Sequence, residues 1–285
     1  MNETIKSVNI QDLLPFKDHP FKIRDGEERE ELMTSIKANK IIEPLIVRPI
    51  LTDGKYEVIS GHRRLDALKR LGINEVPVII KNLSDEEAII MMVDSNLKRE
   101  NIMPSEKAYA YKMKLEILKR QGDRNDLTSS QNETKFRSDN YLAKQLGIGK
   151  ETLHRYIRLT YLIPELLKMV DDKIIAITPA VELSYLSKDE QLIVYEEISY
   201  EEASPSLSQA QRLKAYSKDG SLDRNHVYEI ISEVKGNQKE TLKLPLDKIK
   251  AYQPKAKSYQ ELEEFIIKAC AYYKKYLERQ KGRDR

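Results

Sequence analysis

At 285 residues, with 40% hydrophobic and 33% charged side chains, the chain is long enough for two or three domains and too apolar to remain disordered. A single cysteine, Cys270, excludes an internal disulfide and a cysteine-based metal cage. No stretch approaches the roughly 20 apolar residues of a membrane span, and no apolar signal region follows Met1, so a cytoplasmic protein is expected. The net charge of +3 hides a segregation: residues 120–160 carry 8 basic and 5 acidic side chains, residues 161–205 carry 3 and 10, and residues 206–285 carry 18 and 11. Two basic blocks around an acidic one suit a polyanionic partner, although solvated charge runs are common.

In chain order, Glu27 to Asn39 reads as a helix with Leu32, Met33 and Ile36 on one side. Leu45-Ile46-Val47 and Tyr56-Glu57-Val58-Ile59 read as strands about the turn signal Thr52-Asp53-Gly54. A helix follows Ser60-Gly61, with Leu65, Leu68 and Leu71 inward and Gly72 as its left-handed stop. Val76 to Ile80 is a strand, and the capping box Ser84…Glu87 opens a helix carrying Ala88, Ile89, Met92 and Val93. This is a small α/β domain. Beyond it helices dominate. Pro104 opens one with an apolar stripe of Ala108, Tyr111, Leu115 and Leu118, ending at Gly122. Residues 123–138, polar and without periodicity, read as a mobile loop. Further helices start near Pro179, Lys188 and Leu207, the last two behind the boxes Ser187…Glu190 and Ser206…Gln209. Residues 241–246 suit a strand. Residues 259–280 suit an amphipathic helix with Leu262, Phe265, Ile266, Ala269, Tyr273, Tyr276 and Leu277 along one face.

Residues 139–158 have the spacing of a helix-turn-helix. Ala143 is small where two helices must cross, Gly147 suits the tight turn, and Ile148, Leu153 and Ile157 would seal the second helix on the first. Lys150, Glu151, Thr152, His154, Arg155 and Arg158 then lie on a recognition helix able to enter the major groove, where Arg and Lys reach guanine edges or phosphates and Thr meets a thymine methyl. A plain helical hairpin with a glycine turn is the alternative, with His154 a solvated residue.

Two N-terminal motifs suit phosphate chemistry. Ile59-Ser60-Gly61-His62-Arg63-Arg64 joins a strand end to a helix start, aiming backbone N–H groups and arginine forks at an anion. In Asp94-Ser95-Asn96-Leu97-Lys98-Arg99, Asn96 and Arg99 share one face of a helix end and suit a phosphate or a metal-bound water. Each motif alone also fits a purely structural role.

Taken together, Ile42-x-Pro44-Leu45-x-Val47-Arg48, Ser60-Gly61-His62-Arg63-Arg64-x-x-Ala67, Val76-Pro77-Val78 and Asn96-x-x-Arg99-Glu100-x-x-x-Pro104-x-Glu106-x-Ala108 resemble the ParB partition family, most of all its branch on plasmids and mobile elements. The resemblance spans roughly residues 5–200. It implies an α+β, mostly helical chain with a ParB and sulfiredoxin-like nucleotide-binding domain over residues 1–103 and an all-helical DNA-binding domain over 104–236; residues 237–285, beyond the resemblance, read as a C-terminal strand-helix module whose amphipathic helix suits dimerisation or, as the alternative, core packing. It further implies a homodimeric, nucleoid-associated clamp that binds a centromere-like palindrome in plasmid or chromosome segregation, closes with CTP and Mg²⁺, and meets a ParA-type ATPase. Carried onto this chain, Ser60, Gly61, His62, Arg63, Arg64, Ser95, Asn96 and Arg99 would form the nucleotide site, with Asn96 on the metal.

Two departures bear on catalysis. Chromosomal members usually have Glu where this chain has His62 and again where it has Ser95. An imidazole and a hydroxyl do not replace two carboxylates beside Mg²⁺, so binding with weak or absent CTP hydrolysis is expected. Sulfiredoxin chemistry is excluded because Gly61 stands where a thiol is needed. A phosphotransferase of the related serine-kinase type, using Asp94 or Glu43 as base, leaves the helix-turn-helix without a purpose. A nuclease would want clustered carboxylates. A transcriptional regulator with a purely structural N-terminal domain stays open.

Overall fold

A five-stranded sheet organises the first hundred residues. The structure, a computed structural model, describes residues 4–17, 19–22, 25–50, 54–125, 131–233, 252 and 258–281. The strands are β1 (Ile5–Asn9), β2 (Leu13–Pro15), β3 (Leu45–Pro49), β4 (Tyr56–Ser60) and β5 (Glu75–Ile80), in spatial order β1-β5-β3-β4-β2. β1/β5 and β3/β4 are antiparallel, whereas β3/β5 and β2/β4 are parallel. Period-2 alternation sends Val47 and Val58 to one face, where they pack with Ile36 of α1 (Glu27–Asn39) and with Leu65 and Leu68 of α2 (His62–Arg70). Ile46 and Ile59 go to the other face, with Ala88 and Met92 of α3 (Asp85–Leu97) and Ala110 of α4 (Pro104–Asn125). Both faces are covered, and the sheet's core continues into the first long helix of the helical part.

That part runs α5 (Gln131–Gln145), α6 (Lys150–Arg158), a 3₁₀ turn (Leu159–Tyr161), α7 (Pro164–Asp171), α8 (Ile177–Leu183), α9 (Lys188–Glu201), α10 (Leu207–Lys218) and α11 (Arg224–Ile231). The three capping boxes read from sequence are formed at Ser84, Ser187 and Ser206, each with reciprocal side-chain and backbone bonds worth about 1 kcal/mol. Gln191, 1% exposed, joins the turn before α7 to the turn before α9 with one amide: Oε1 accepts from Ile163 N–H at 2.8 Å, and Nε2 donates to Leu186 O at 2.9 Å and Tyr161 O at 3.3 Å.

One expectation is corrected. Residues 123–125 end α4 and residues 131–138 belong to α5, so helix occupies most of the segment read as a loop. With Phe136 its one large apolar residue beyond Leu127, this stretch has no stripe for periodicity to detect. Residues 126–130, and the strand expected over 241–246, lie outside the described residues. Met1–Glu233 forms one compact unit and Val234–Arg285 a second, whose helix Tyr259–Lys281 exposes Ile267, Tyr272, Tyr273, Tyr276 and Leu277. Among the described residues no helix is long and apolar enough to cross a membrane.

Candidate functional site

Where β4 passes into α2, Gly61 takes φ 106° and ψ 20°, a left-handed conformation costly for any other residue. No side chain caps α2, so its first-turn N–H groups are left for a ligand or solvent. Beside this turn lies a groove of about 670 Å³ lined by Ser60, Gly61, Arg63, Arg64, Ser95 and Arg99, six of the eight residues expected at the nucleotide site. Leu32, Ser35 and three carboxylates, Glu28, Glu31 and Glu43, complete the lining. An adjoining cavity of about 640 Å³ shares Glu28, Arg63 and Arg99 and runs on past Phe21, Lys22, Arg29 and Ile102.

The arginines there are engaged. Arg63 Nη2 lies 2.9 Å from Glu28 Oε2, and Arg64 Nη1 lies 3.5 Å from Glu43 Oε2 while donating to the Glu43 and Pro44 carbonyls. Burial lowers the pKa of Arg64, and the adjacent Glu43 opposes that shift.

Two expected site residues lie elsewhere. His62 is buried in the domain: its Nε2 accepts from Phe16 N–H at 3.3 Å, and its ring packs on His19 with centroids 3.9 Å apart. Burial, then the charges of His19 and Arg99, lowers its pKa to about 3, so the ring is neutral at physiological pH. Asn96 is 2% exposed; its amide donates to Met92 O at 2.7 Å, and its Oδ1 is a buried acceptor without a hydrogen-bond partner. Ser95 lines the groove, but its hydroxyl donates to Met92 O at 2.9 Å. Glycine turn, uncapped helix and arginines fit the phosphates of a nucleotide. The donors do not fit a protein-held Mg²⁺. That ion wants several oxygens in octahedral array, and Asn96 offers one sealed amide oxygen. The described residues contain no group of three or more His, Cys, Asp or Glu placed to hold a metal.

The second candidate site is the helix pair α5–α6. Gly147, at φ 67°, ends α5 in a Schellman turn, with Ile148 N–H on Ala143 O at 3.0 Å and Gly147 N–H on Lys144 O at 3.2 Å. Ala143 and Leu153 are buried against Tyr111, Leu115 and Leu142, with Ile148 and Ile157 at the margin, as the spacing required. Glu151 and Arg155 are exposed, Lys150 and Thr152 half-buried. Arg155 makes no ion pair or hydrogen bond among the described residues. His154 does: its Nε2 lies 3.0 Å from Oδ2 of the buried Asp139, whose other oxygen is 3.7 Å from Lys119 Nζ. Arg158 is built into the fold. It donates from Nε to Ser184 Oγ and from Nη2 to Ser184 O, both at 2.9 Å, and its guanidinium lies 3.9 Å from the centre of the Tyr185 ring and 4.5 Å from that of Tyr161. Both were expected to face DNA; in the structure His154 also ties α6 to α5, and Arg158 ties α6 to the residue after α8.

Sequence reasoning missed Glu28, Asp139 and Ser184 and named Glu43 only as a possible phosphotransferase base, not as the partner of Arg64. Each lies 15 or more positions along the chain from the residue it holds, and no local pattern marks an exposed glutamate or a buried serine as a partner.

Residues 1–97 match the ParB N-terminal domain family. Over 197 residues the chain is 34% identical to the nucleoid occlusion protein of Geobacillus sp. (strain WCH70), covering 69% of this chain and 64% of that protein. The chain thus spans a little under two thirds of the length of the curated relatives it matches first. Two solved structures of the C-terminally truncated chromosome-partitioning protein ParB of Caulobacter crescentus are also similar. The complex with the centromeric parS site is 19% identical over 79% of this chain and 98% of that one, with a TM-score of 0.42. The complex with CTP-gamma-S is 21% identical over 68% and 98%, with a TM-score of 0.32. Residues 1–97 are thus a ParB N-terminal domain, and over 197 residues the chain is similar to nucleoid occlusion proteins.

Proposed function

We propose that this chain is a sequence-specific DNA-binding partition protein that lays α6 in the major groove of a palindromic site, with nucleotide in the Gly61 groove modulating that docking. The observation that carries the reading is the construction of α6. Its inner face is sealed on α4 and α5, and its start presents Lys150, Thr152 and a solvent-exposed Arg155. The match of residues 1–97 to the ParB N-terminal domain supports the same reading, as does the excess of 8 basic over 5 acidic residues across 120–160. A twofold DNA site calls for a homodimer, and the exposed apolar residues of the helix Tyr259–Lys281 suit that pairing. The wider assignment is to plasmid or chromosome segregation on the nucleoid, alongside a ParA-type ATPase.

CTP is the nucleotide we propose for the groove, on the match of residues 1–97 to the ParB N-terminal domain and on the cradle of Gly61, Arg63, Arg64 and Arg99. A divalent ion, when bound, supplies charge neutralisation to the phosphates; the residues of this chain bind and orient. Hydrolysis is weak or absent in this proposal. His62 is neutral and committed to Phe16, and Ser95 is committed to Met92, so neither activates water.

The test is a selection from random duplexes at fixed salt, with and without CTP. An enriched palindrome whose recovery changes with CTP supports the proposal; indifference to sequence against scrambled competitor defeats it.

A further inference from the structure

The groove that could take a triphosphate already holds anions of its own. Glu28, in the first turn of α1, and Glu43, ahead of β3, stand 71% and 81% exposed, so neither is buried for the sake of packing. Their carboxylates lie 2.9 Å from Arg63 and 3.5 Å from Arg64, the two cations that follow the Gly61 turn. An incoming phosphate needs the same guanidinium faces. We infer that Glu28 and Glu43 are internal competitors: they occupy Arg63 and Arg64 while the groove is empty, and nucleotide must displace them to bind.

This inference rests on the nucleotide reading of the groove and adds its regulation. The competition acts through charge in two ways. The Glu28 carboxylate takes part of the bonding capacity of Arg63, the Glu43 carboxylate acts on Arg64 by charge across 3.5 Å, and each remains beside the polyphosphate as a repelling charge once displaced. Because both glutamates are solvent-exposed, each pair has the modest strength of a surface ion pair. Weak latches of this kind set affinity without blocking it. They also give α1 and the residues before β3 a reason to shift when nucleotide arrives, since each loses the cation that held it.

The experiment measures binding of a fluorescently labelled CTP, with Mg²⁺, to the full chain by anisotropy. Glu28→Gln and Glu43→Gln should each tighten binding by about two- to fivefold, the range expected for an exposed ion pair. Glu30→Gln is the control: it removes the same charge from the same helix turn, and Glu30 does not line the groove. It should leave affinity unchanged. In an Arg63→Ala background the gain from Glu28→Gln should fall to the level of that control. If the wild type binds, Arg63→Ala weakens binding, and Glu28→Gln gives no tightening, the latch is refuted while the nucleotide site stands. Equal tightening by Glu30→Gln reduces the effect to net charge and also refutes it. If neither the wild type nor the Glu28→Gln/Glu43→Gln double variant retains the probe, the nucleotide reading fails and the latch with it.

Discussion

Replacing Gly61 with alanine isolates the turn on which the groove depends. At φ 106° a Cβ strains the backbone by about 1–2 kcal/mol. The new methyl would also stand 2.9 Å from Leu45 Cγ, and Leu45 is fully buried in the core of the sheet. Forcing an extra carbon into such packing costs about 1–3 kcal/mol more. The expected loss is therefore about 2–5 kcal/mol. Gly147 supplies the comparison: its φ is 67°, but a Cβ there meets nothing within 4 Å, so Gly147→Ala should cost the strain alone, about 1–2 kcal/mol. Urea unfolding followed by circular dichroism measures both. A double-mutant cycle with Leu45→Ala gives a second reading, because removing Cγ should reduce the Gly61→Ala penalty to that of Gly147→Ala. Equal penalties at the two glycines, or a Gly61→Ala penalty unmoved by Leu45→Ala, would refute the packing argument.

Three further perturbations separate reading from scaffolding. Arg155→Ala should cost about 1–3 kcal/mol in binding to the selected duplex and relax preference at one position, measured by anisotropy at fixed salt; a loss equal on scrambled DNA would make Arg155 a phosphate contact. Arg158→Ala should instead lower stability by about 1–3 kcal/mol, through loss of two charged bonds to Ser184 and the stacking on Tyr185, and thermal unfolding reads this directly. For His62 the folded pKa, about 3, lies below the ordinary value of 6.5, so between those values the unfolded chain takes up a proton that the folded chain refuses. Stability is unaffected by this group above pH 6.5 and falls by about 1.4 kcal/mol per unit as the pH drops toward 3. His62→Gln, which keeps an acceptor for the Phe16 N–H, should flatten that part of the profile; an unchanged slope between pH 6 and 4.5 would show that other groups set it.

The parts of this molecule legible from sequence were those fixed by short-range patterns. The boxes at Ser84, Ser187 and Ser206 announce themselves over four residues, and Gly72 and Gly147 mark helix stops where only a residue without Cβ is comfortable. The packing of α6 on α5 through Ala143 and Leu153 followed from apolar spacing alone. The side-chain contacts that sequence did not reveal depend on distant partners. Arg158 looks like any basic residue on the outer face of α6 until Ser184 and Tyr185 arrive from 26 and 27 positions downstream. His62 sits in a phosphate-like motif, yet its ring is claimed by Phe16, 46 residues earlier. The helix beginning at Gln131 was illegible for a different reason, since a segment polar on every side leaves no periodic trace.

The grip of Arg158 on Ser184 has a consequence for recognition. Fastened at its last turn and sealed along its inner face, α6 enters any encounter with its direction already chosen. The ordering entropy that a frayed or swinging helix would surrender on a duplex has been spent during folding. What remains to be immobilised is the rotamers of a few long side chains near Lys150 and Arg155. The heat-capacity change on docking should therefore reflect the contact surface itself, free of the larger contribution that accompanies folding coupled to association.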